Sequence, residues 1–266
     1  NATKANFYPY RFGVHTASGK VTVNGGTFNV NAESGLSIGA WAYGGLDGNS
    51  KYAMNAKITV NGGEFICYNP TANNSRIFRQ ENTRTGTYGS ATAELVVNGG
   101  KFKPLAGTAT PYTSTGTHNV TLPDNNDKHT LLTGGYYVTN TELSTYKADT
   151  CKVTELATTH AEYANGYRYA IEVNYVAQVK VGSTVKKFTI VKNAFDYFKT
   201  VNNATLTVLE DCNFDMGTTY YNLSPSIANW VGTLDLNNHK ITGITTTDRF
   251  FNCNSANVKT FTITDS

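Results

Sequence analysis

The sequence predicts an all-β fold, a right-handed parallel β-helix (solenoid), from an internal repeat and from its composition. A short alternating strand, a Gly-Gly turn and an aromatic residue recur four times in the 266 residues. The first glycines of the four turns are 37, 37 and 35 residues apart: Gly25, Gly62, Gly99 and Gly134. Successive coils of a solenoid must pair in one register, whereas an isolated Asn-Gly hairpin does not require a repeated register. The spacing therefore favours a solenoid.

The composition indicates a secreted or cell-surface protein. Charged residues make up 15% of the chain, compared with roughly 25% in an average soluble domain. The exposed strands must therefore be covered largely by uncharged polar residues. The formal net charge of +3 is too small to indicate nucleic acid binding. No apolar run is long enough to span a membrane.

Stacking of the repeats, with coils about 4.8 Å apart, predicts three columns of like side chains. An inward apolar column is formed by Val23, Val60, Val97 and Leu132. An aromatic column, in which ring stacking adds to burial, is formed by Phe28, Phe65, Phe102 and Tyr137. An amide ladder at the turns is formed by Asn24, Asn61 and Asn98. The remaining residues of each repeat are predicted to bulge outward as loops over 43–55, 69–92 and 106–119.

Outward positions of the repeat predict two exposed ion pairs between coils. Glu64 is placed beside Lys101, and Lys57 beside Glu94, each pair contributing about 0–1 kcal/mol. The four cysteines are far apart and lack the spacing of a zinc site: Cys67, Cys151, Cys212 and Cys253. We favour small apolar core residues over two disulfides or a metal site, and we predict no metal and no cofactor.

The second half of the chain follows a different pattern. Coils are predicted over 1–140, an irregular bridge over 141–174, and a second β-helix part over 175–266. Apolar residues at helical spacing predict a short capping α-helix near 191–201. These residues are Val191, Ala194, Phe195, Phe198 and Val201. Such a helix would cover an open sheet edge, which otherwise invites aggregation.

Three arrangements of the two halves follow from this order. The halves could be independent, each with an open edge. They could stack head to tail between molecules, which builds a filament. They could also close into one β-helix within the chain. We favour completion of the edges, within or between chains, over two open edges.

Two segments of the second half carry a resemblance to a known family. Residues 207–211 (TVLED), followed by 234–243 (LDLNNHKITG), resemble the opening of pectin-lyase-like β-helix modules of bacterial cell-surface proteins. Those modules begin with a strand and a capping helix and continue into Gly-Gly-x-Phe coils. They commonly close with a tyrosine-containing tail, which residues 146–169 resemble. The resemblance implies a folding role for Asp235 and His239.

Many pectin-lyase-like proteins act on polysaccharides, so the alternative function is that of a polysaccharide lyase, epimerase or glycoside hydrolase. A calcium-dependent lyase needs carboxylates that converge on a cation, which would appear here as an acidic column. The outward positions 27, 64, 101 and 136 carry Thr, Glu, Lys and Tyr, so they do not form an acidic column. A hydrolase needs two paired carboxylates. Asp124 with Asp127, or Asp211 with Asp215, are candidates, but their contexts favour turns and strand ends. We assign no catalytic residue.

Aromatic and basic residues in and beside the long loops predict a ligand-binding surface for a polysaccharide or host glycan. The candidates are Trp41, Tyr43, Tyr68, Arg76, Arg79, Arg84 and Tyr88. Aromatic rings stack on sugars, and guanidinium groups bind acidic groups through paired hydrogen bonds. Solvated loop arginines are the alternative, and Trp41 could equally face the core one coil below Phe78. The expected function is a non-catalytic adhesin, stalk or filament segment.

Overall fold

The chain divides into two units, Asn1–Val173 and Asn174–Ser266, and both are mostly β. The computed structural model describes residues 6–7, 12–31, 37–44, 54–69, 75–82, 85–86, 89–106, 114–115, 120–121, 130–215, 220–244 and 250–266. The all-β class predicted from the sequence is confirmed, with parallel pairing within both units.

Three sheets of the first unit take one strand from each repeat. The first sheet is parallel and contains β3 (Gly19–Val23), β6 (Ala56–Val60), β11 (Ala93–Val97) and β15 (Thr130–Leu132). The second has a parallel core of β1 (Asn6–Phe7), β4 (Thr27–Asn31), β7 (Glu64–Asn69), β12 (Lys101–Ala106) and β16 (Tyr136–Tyr137). The third is parallel and contains β2 (Phe12–Thr16), β5 (Ser37–Gly44), β8 (Ser75–Asn82) and β14 (Val120–Thr121). Short antiparallel pieces join β9 (Thr85–Gly86) to β10 (Gly89–Ser90), and β13 (Ser114–Thr115) to β12.

The predicted columns are confirmed. The apolar column is in register across the first sheet, and none of its four side chains is more than 7% exposed. In the aromatic column the Phe28 and Phe65 ring centroids are 4.5 Å apart, and those of Phe65 and Phe102 are 5.8 Å apart. The Asn61 amide donates to Asn24 Oδ1 at 2.8 Å, and the Asn98 amide donates to Asn61 Oδ1 at 2.9 Å. Like residues therefore stack between successive repeats.

The Gly-Gly turns bring the backbones of successive repeats close together. A Cβ added at Gly62 would lie 2.8 Å from the Asn24 carbonyl oxygen. The following residue, Gly63, has φ of 101°, a left-handed conformation that residues with a side chain rarely adopt. Both glycines of this turn are therefore required, one by space and the other by backbone conformation.

The loop predicted over 69–92 is partly wrong, because β8 lies inside it. Residues Ile77 and Phe78 are adjacent in sequence and both are fully buried. Two consecutive buried residues break the alternation that identifies a half-buried strand. The third sheet was therefore not visible in the sequence pattern.

Residues 141–173, which make up most of the predicted bridge, belong to the first unit. They contain α1 (Leu143–Tyr146), β17 (Cys151–Glu155), α2 (Ala161–Ala164) and β18 (Tyr169–Val173). β17 and β18 form an antiparallel pair, and β18 pairs antiparallel with β16. The buried side chains of Leu143, Cys151 and Ile171 join the core of the unit. This packing holds the segment on the last strand of the second sheet.

One of the two predicted ion pairs is present. Lys57 Nζ lies 2.6 Å from Glu94 Oε2. Glu64 and Lys101 are neighbours in register, but Lys101 Nζ instead lies 2.7 Å from Glu162 Oε1. Glu162 is on α2, far along the sequence, so a repeat-based analysis could not anticipate this partner.

Glu64 is bound by the segment that covers the second sheet. The buried Tyr167 hydroxyl donates to Glu64 Oε1 at 2.6 Å, and Lys103 Nζ lies 3.5 Å from the same oxygen. Burial and the Glu64 carboxylate together raise the pKa of Tyr167. The Lys103 ammonium also lies 4.6 Å from the centre of the Tyr167 ring. This outward position of the repeat is therefore occupied by internal contacts.

The second unit is built on one mixed sheet with the order β20-β19-β21-β24-β27. Its strands are β19 (Ala177–Val181), β20 (Thr184–Phe188), β21 (Ala204–Val208), β24 (Trp230–Asp235) and β27 (Val258–Thr264). β19 is antiparallel to both β20 and β21, and the later pairs are parallel. Two further parallel pairs join β22 (Cys212–Asp215) to β25 (Ile241–Ile244), and β23 (Tyr221–Asn222) to β26 (Phe251–Asn252).

The predicted helix is confirmed as α3 (Val191–Phe198). Its buried side chains share one hydrophobic core with Trp230 of β24. These side chains are Val191, Ala194, Phe195 and Phe198. Val201 lies beyond the helix end but still packs against the same core. Helical spacing of apolar residues therefore located the helix correctly and overestimated its length by one turn.

None of the four cysteines, all of which lie in the described part of the chain, forms a disulfide. Cys67 and Cys151 are buried, as expected for apolar core residues, and burial raises the pKa of the Cys67 thiol. Cys212 is half-buried, and burial raises its pKa to about 11. Cys253 is exposed, so the core prediction is wrong for this residue.

Candidate functional site

A column of aromatic and basic side chains lies on the outer face of the third sheet. His15 on β2 is in register with Trp41 on β5, and Trp41 is in register with Arg79 on β8. Ala40 and Ala42 on either side of Trp41 are fully buried. Because side chains alternate along a strand, Trp41 points away from the core that these alanines face.

The members of this column contact one another. The His15 and Trp41 ring centroids are 4.6 Å apart, and the Arg79 Cζ atom lies 4.7 Å from the centre of the Trp41 ring. Phe12 approaches Trp41 edge-on at 5.0 Å, and Tyr43 lies at 5.8 Å. We call these five residues, Phe12, His15, Trp41, Tyr43 and Arg79, the outer aromatic cluster.

The faces of Trp41 are covered within the chain. His15 and Arg79 lie on opposite sides of it because β2 and β8 flank β5 in the sheet. The Trp41 Nε1 atom is buried and has no hydrogen-bond partner among the described residues. A sugar can therefore contact the rim of the cluster but cannot stack flat on the indole.

The alternative position of Trp41 in the core, below Phe78, is not the one observed. Phe78 is in register with Ala40 rather than with Trp41. The offset between β5 and β8 is 38 residues, whereas the offset between β3 and β6 is 37 residues. One additional residue is sufficient to exchange inward and outward positions.

The charge of the cluster resides on Arg79. Burial lowers the pKa of His15, so the imidazole that contacts Trp41 is uncharged at neutral pH. Arg76 lies at the start of β8, where burial lowers its pKa and the Glu142 carboxylate acts in the opposite direction. The surface can therefore attract an anionic group through Arg79, with Arg76 on the same strand.

The structure brings together only part of the predicted surface. Trp41, Tyr43 and Arg79 are in one cluster, as described above. Tyr68 lies on the second sheet, in register with Leu105, and is only 7% exposed, so its ring is not presented to a ligand. Arg84 and Tyr88 lie outside the described residues.

Two members of the cluster, Phe12 and His15, were missed by the sequence analysis. His15 precedes its register partner Trp41 by only 26 residues, and a search at the 37-residue period does not connect them. The interleaved aromatic residues of 12–15 and 41–43 were the only available signal.

Asp211, a catalytic candidate, and Asp235, for which the resemblance implies a folding role, both bind turn residues, whereas Asp215 is exposed at the end of β22. Asp211 Oδ1 accepts the Lys240 backbone N–H at 2.9 Å and lies 3.4 Å from His239 Nδ1. Asp235 accepts the Ser266 hydroxyl at 2.8 Å and the Asn237 N–H at 3.0 Å. These hydrogen bonds keep the pKa of both carboxyl groups below the ordinary value. Both groups therefore stay ionised and are suited to accept hydrogen bonds from the chain.

The remaining candidates add no second site. Asp124 and Asp127 lie outside the described residues. Among the residues that are described, no three metal-ligating side chains come together. The described helices include none with the length and apolar character needed to cross a membrane. A cavity of about 310 Å³ in the second unit is lined by aliphatic and aromatic side chains, with His239 and Lys240 as its polar members.

Comparison of the chain with protein-family models, curated proteins and solved structures found no match. The function must therefore be inferred from the geometry of the described residues.

Proposed function

We propose that the protein is a non-catalytic, extracellular surface protein whose first unit is a right-handed parallel β-helix scaffold. The observation that carries this proposal is the register of the three sheets. Strands from successive repeats pair in parallel in each sheet, and valines, aromatic rings and asparagines stack between repeats. A stack of this kind gives a rigid support for surface contacts.

The outward chemistry of the repeats also supports a scaffold. At the positions inspected for an acidic column, Glu64 is bound by Tyr167 and Lys103, and Lys101 is bound by Glu162. These groups serve internal cohesion. The resemblance to pectin-lyase-like modules of bacterial surface proteins agrees with such a role and with a location outside the cell.

We further propose that the outer aromatic cluster contacts an acidic polysaccharide or host glycan. The Arg79 guanidinium lies over the Trp41 ring at 4.7 Å, and a guanidinium is chemically suited to bind a carboxylate or sulfate group. The rings of Tyr43 and His15 lie beside it and offer apolar contact to a sugar. Binding at such a half-exposed surface is expected to be weak and sensitive to salt.

The test is incubation of the full chain with pectate, alginate and glycosaminoglycans. We expect no increase in unsaturated product or reducing ends over time, and we expect binding of at least one acidic glycan. Arg79→Gln should weaken that binding, whereas Lys20→Gln, which removes one exposed charge from another sheet, should not. Sustained product formation would refute the non-catalytic assignment and favour the lyase, epimerase or hydrolase alternative. Equal binding by the two variants would refute the contact surface.

Head-to-tail self-association of the β-helix edges stays a prediction. Light scattering at increasing protein concentration tests it, because stacking adds mass in steps of one chain. A monomer at the highest concentration reached would exclude it.

A further inference from the structure

The beginning of the second unit carries a concentrated positive charge. Residues 174–200 contain one acidic residue, Asp196, and five lysines: Lys180, Lys186, Lys187, Lys192 and Lys199. This segment therefore has a net charge of +4, whereas the whole chain has +3. The rest of the protein is net −1, so this segment, which contains β19, β20 and α3, carries the excess positive charge of the chain.

Only part of this charge is neutralised within the unit. Lys192 Nζ lies 2.6 Å from Asp196 Oδ2, and Lys199 Nζ lies 3.1 Å from Asp196 Oδ1. Two ammonium groups thus share one carboxylate. No described carboxylate forms an ion pair with the three exposed lysines of the hairpin, which are Lys180, Lys186 and Lys187.

Aromatic rings, rather than acids, support two of these lysines. Lys186 Nζ lies 4.2 Å from the centre of the Tyr197 ring and 5.4 Å from that of Phe188. Lys187 Nζ lies 5.5 Å from the centre of the Tyr175 ring, and Tyr175 is 39% exposed. A cation–π contact orients an ammonium without cancelling its charge. The full charge therefore stays available to an external anion.

The hairpin presents these groups along an open sheet edge. Among the described residues β20 pairs with β19 alone, which places it at the edge of its sheet. Lys186 is opposite Val179 and Lys187 is opposite Gln178, so the two ammonium groups lie on opposite faces of the strand. Positive charge and aromatic surface thus flank the edge on both sides. We call this surface, formed by Tyr175, Lys180, Lys186, Lys187 and Tyr197, the lysine edge.

We propose that the lysine edge is a second binding site, for an anionic polysaccharide that carries carboxylate or sulfate groups. The ammonium groups supply the attraction, and the tyrosine rings beside them supply apolar surface for sugar rings. The whole chain has a net charge of +3, which is too small to indicate nucleic acid binding and favours a polysaccharide. Lysines on an edge strand also oppose the docking of another β-strand.

The experiment measures binding of the full chain to polygalacturonate and to dextran sulfate at low and high salt. The double variant Lys186→Gln/Lys187→Gln should lower the affinity about tenfold, as expected for the loss of two partly screened charge contacts. Lys259→Gln is the matched control, because it removes an exposed charge from β27 at the other end of the same sheet. Its affinity should match that of the unmodified chain.

Each of the following results would overturn the proposal. The double variant could bind both polymers as tightly as the unmodified chain. The loss of affinity in Lys259→Gln could equal the loss per removed charge in the double variant, which would show that the polymer responds to net charge alone. A DNA oligonucleotide or phosphatidylglycerol vesicles could bind as tightly at equal anion concentration. If the double variant self-associates and retains polymer binding, the lysines protect the edge and the proposal also fails.

The two proposed sites can be separated in the same assay. Arg79→Gln alters the outer aromatic cluster in the first unit and should leave binding at the lysine edge unchanged. Loss of binding in Arg79→Gln together with full binding in the lysine variant would support the first site and overturn the second. The reverse pattern would support the second site alone.

Discussion

Replacement of Phe65 tests the stacked core on which the proposed scaffold depends. Its side chain is fully buried, and its ring stacks on Phe28 and Phe102 from the neighbouring repeats. A Cβ added at Gly39 would lie 3.1 Å from the Phe65 ring, so little space is left around it. Phe65→Ala should therefore lower the free energy of unfolding of the first unit by about 3–5 kcal/mol.

Phe65→Leu separates burial from ring stacking. Leucine keeps most of the apolar contact and loses two aromatic pairs, each of which contributes about 0.5–1.5 kcal/mol. Phe65→Leu should therefore lower the free energy of unfolding by about 1–3 kcal/mol, less than Phe65→Ala does. The control is Thr22→Ala on β3, an exposed position where we expect a change within about 0.5 kcal/mol.

The assay is urea denaturation, followed by circular dichroism and by tryptophan fluorescence, to which Trp41 of the first unit and Trp230 of the second contribute. Both substitutions should lower the transition midpoint of the first unit while its slope stays constant. A loss below about 1 kcal/mol for Phe65→Ala, comparable to the control, would show that the ring is not part of a packed core. The register between repeats would then be wrong, and the scaffold proposal with it.

Three further predictions concern the turns, the second sheet and the thiols. Gly62→Ala should cost about 1–3 kcal/mol, because its Cβ would meet a backbone oxygen at 2.8 Å, while Gly25→Ala has no atom within 4 Å and should change stability little in the same denaturation assay. The hydrogen bond from Lys101 lowers the pKa of Glu162 from its ordinary value of 4.5. The contribution of this pair to folding stability is therefore present above pH 4.5 and is lost as the pH falls through the lowered pKa. An NMR titration of Glu162 should show this, and Lys101→Met should raise the midpoint. Cys253, the exposed cysteine, should react first with a thiol reagent; unchanged labelling kinetics in Cys253→Ser would contradict this.

The sequence alone determined the stacked part of the first unit. Each repeat places the same residue types at the same distance from its Gly-Gly turn, so a column such as Phe28, Phe65 and Phe102 can be read directly at a period of 37. Helix α3 was equally accessible, because its four buried residues follow the helical period. Regular patterns of burial repeat along the chain and therefore leave a signal in it.

Only the tertiary structure decided the contacts that have no fixed period. The third sheet combines offsets of 26 and 38 residues, which places Trp41 on the outer face with Arg79 rather than in the core. Glu162 reaches Lys101, and the lysine edge forms because an antiparallel hairpin sets aromatic rings beside Lys186 and Lys187. Such contacts form where segments that are far apart in the sequence meet in space. No local pattern in a single sequence shows which segments will meet.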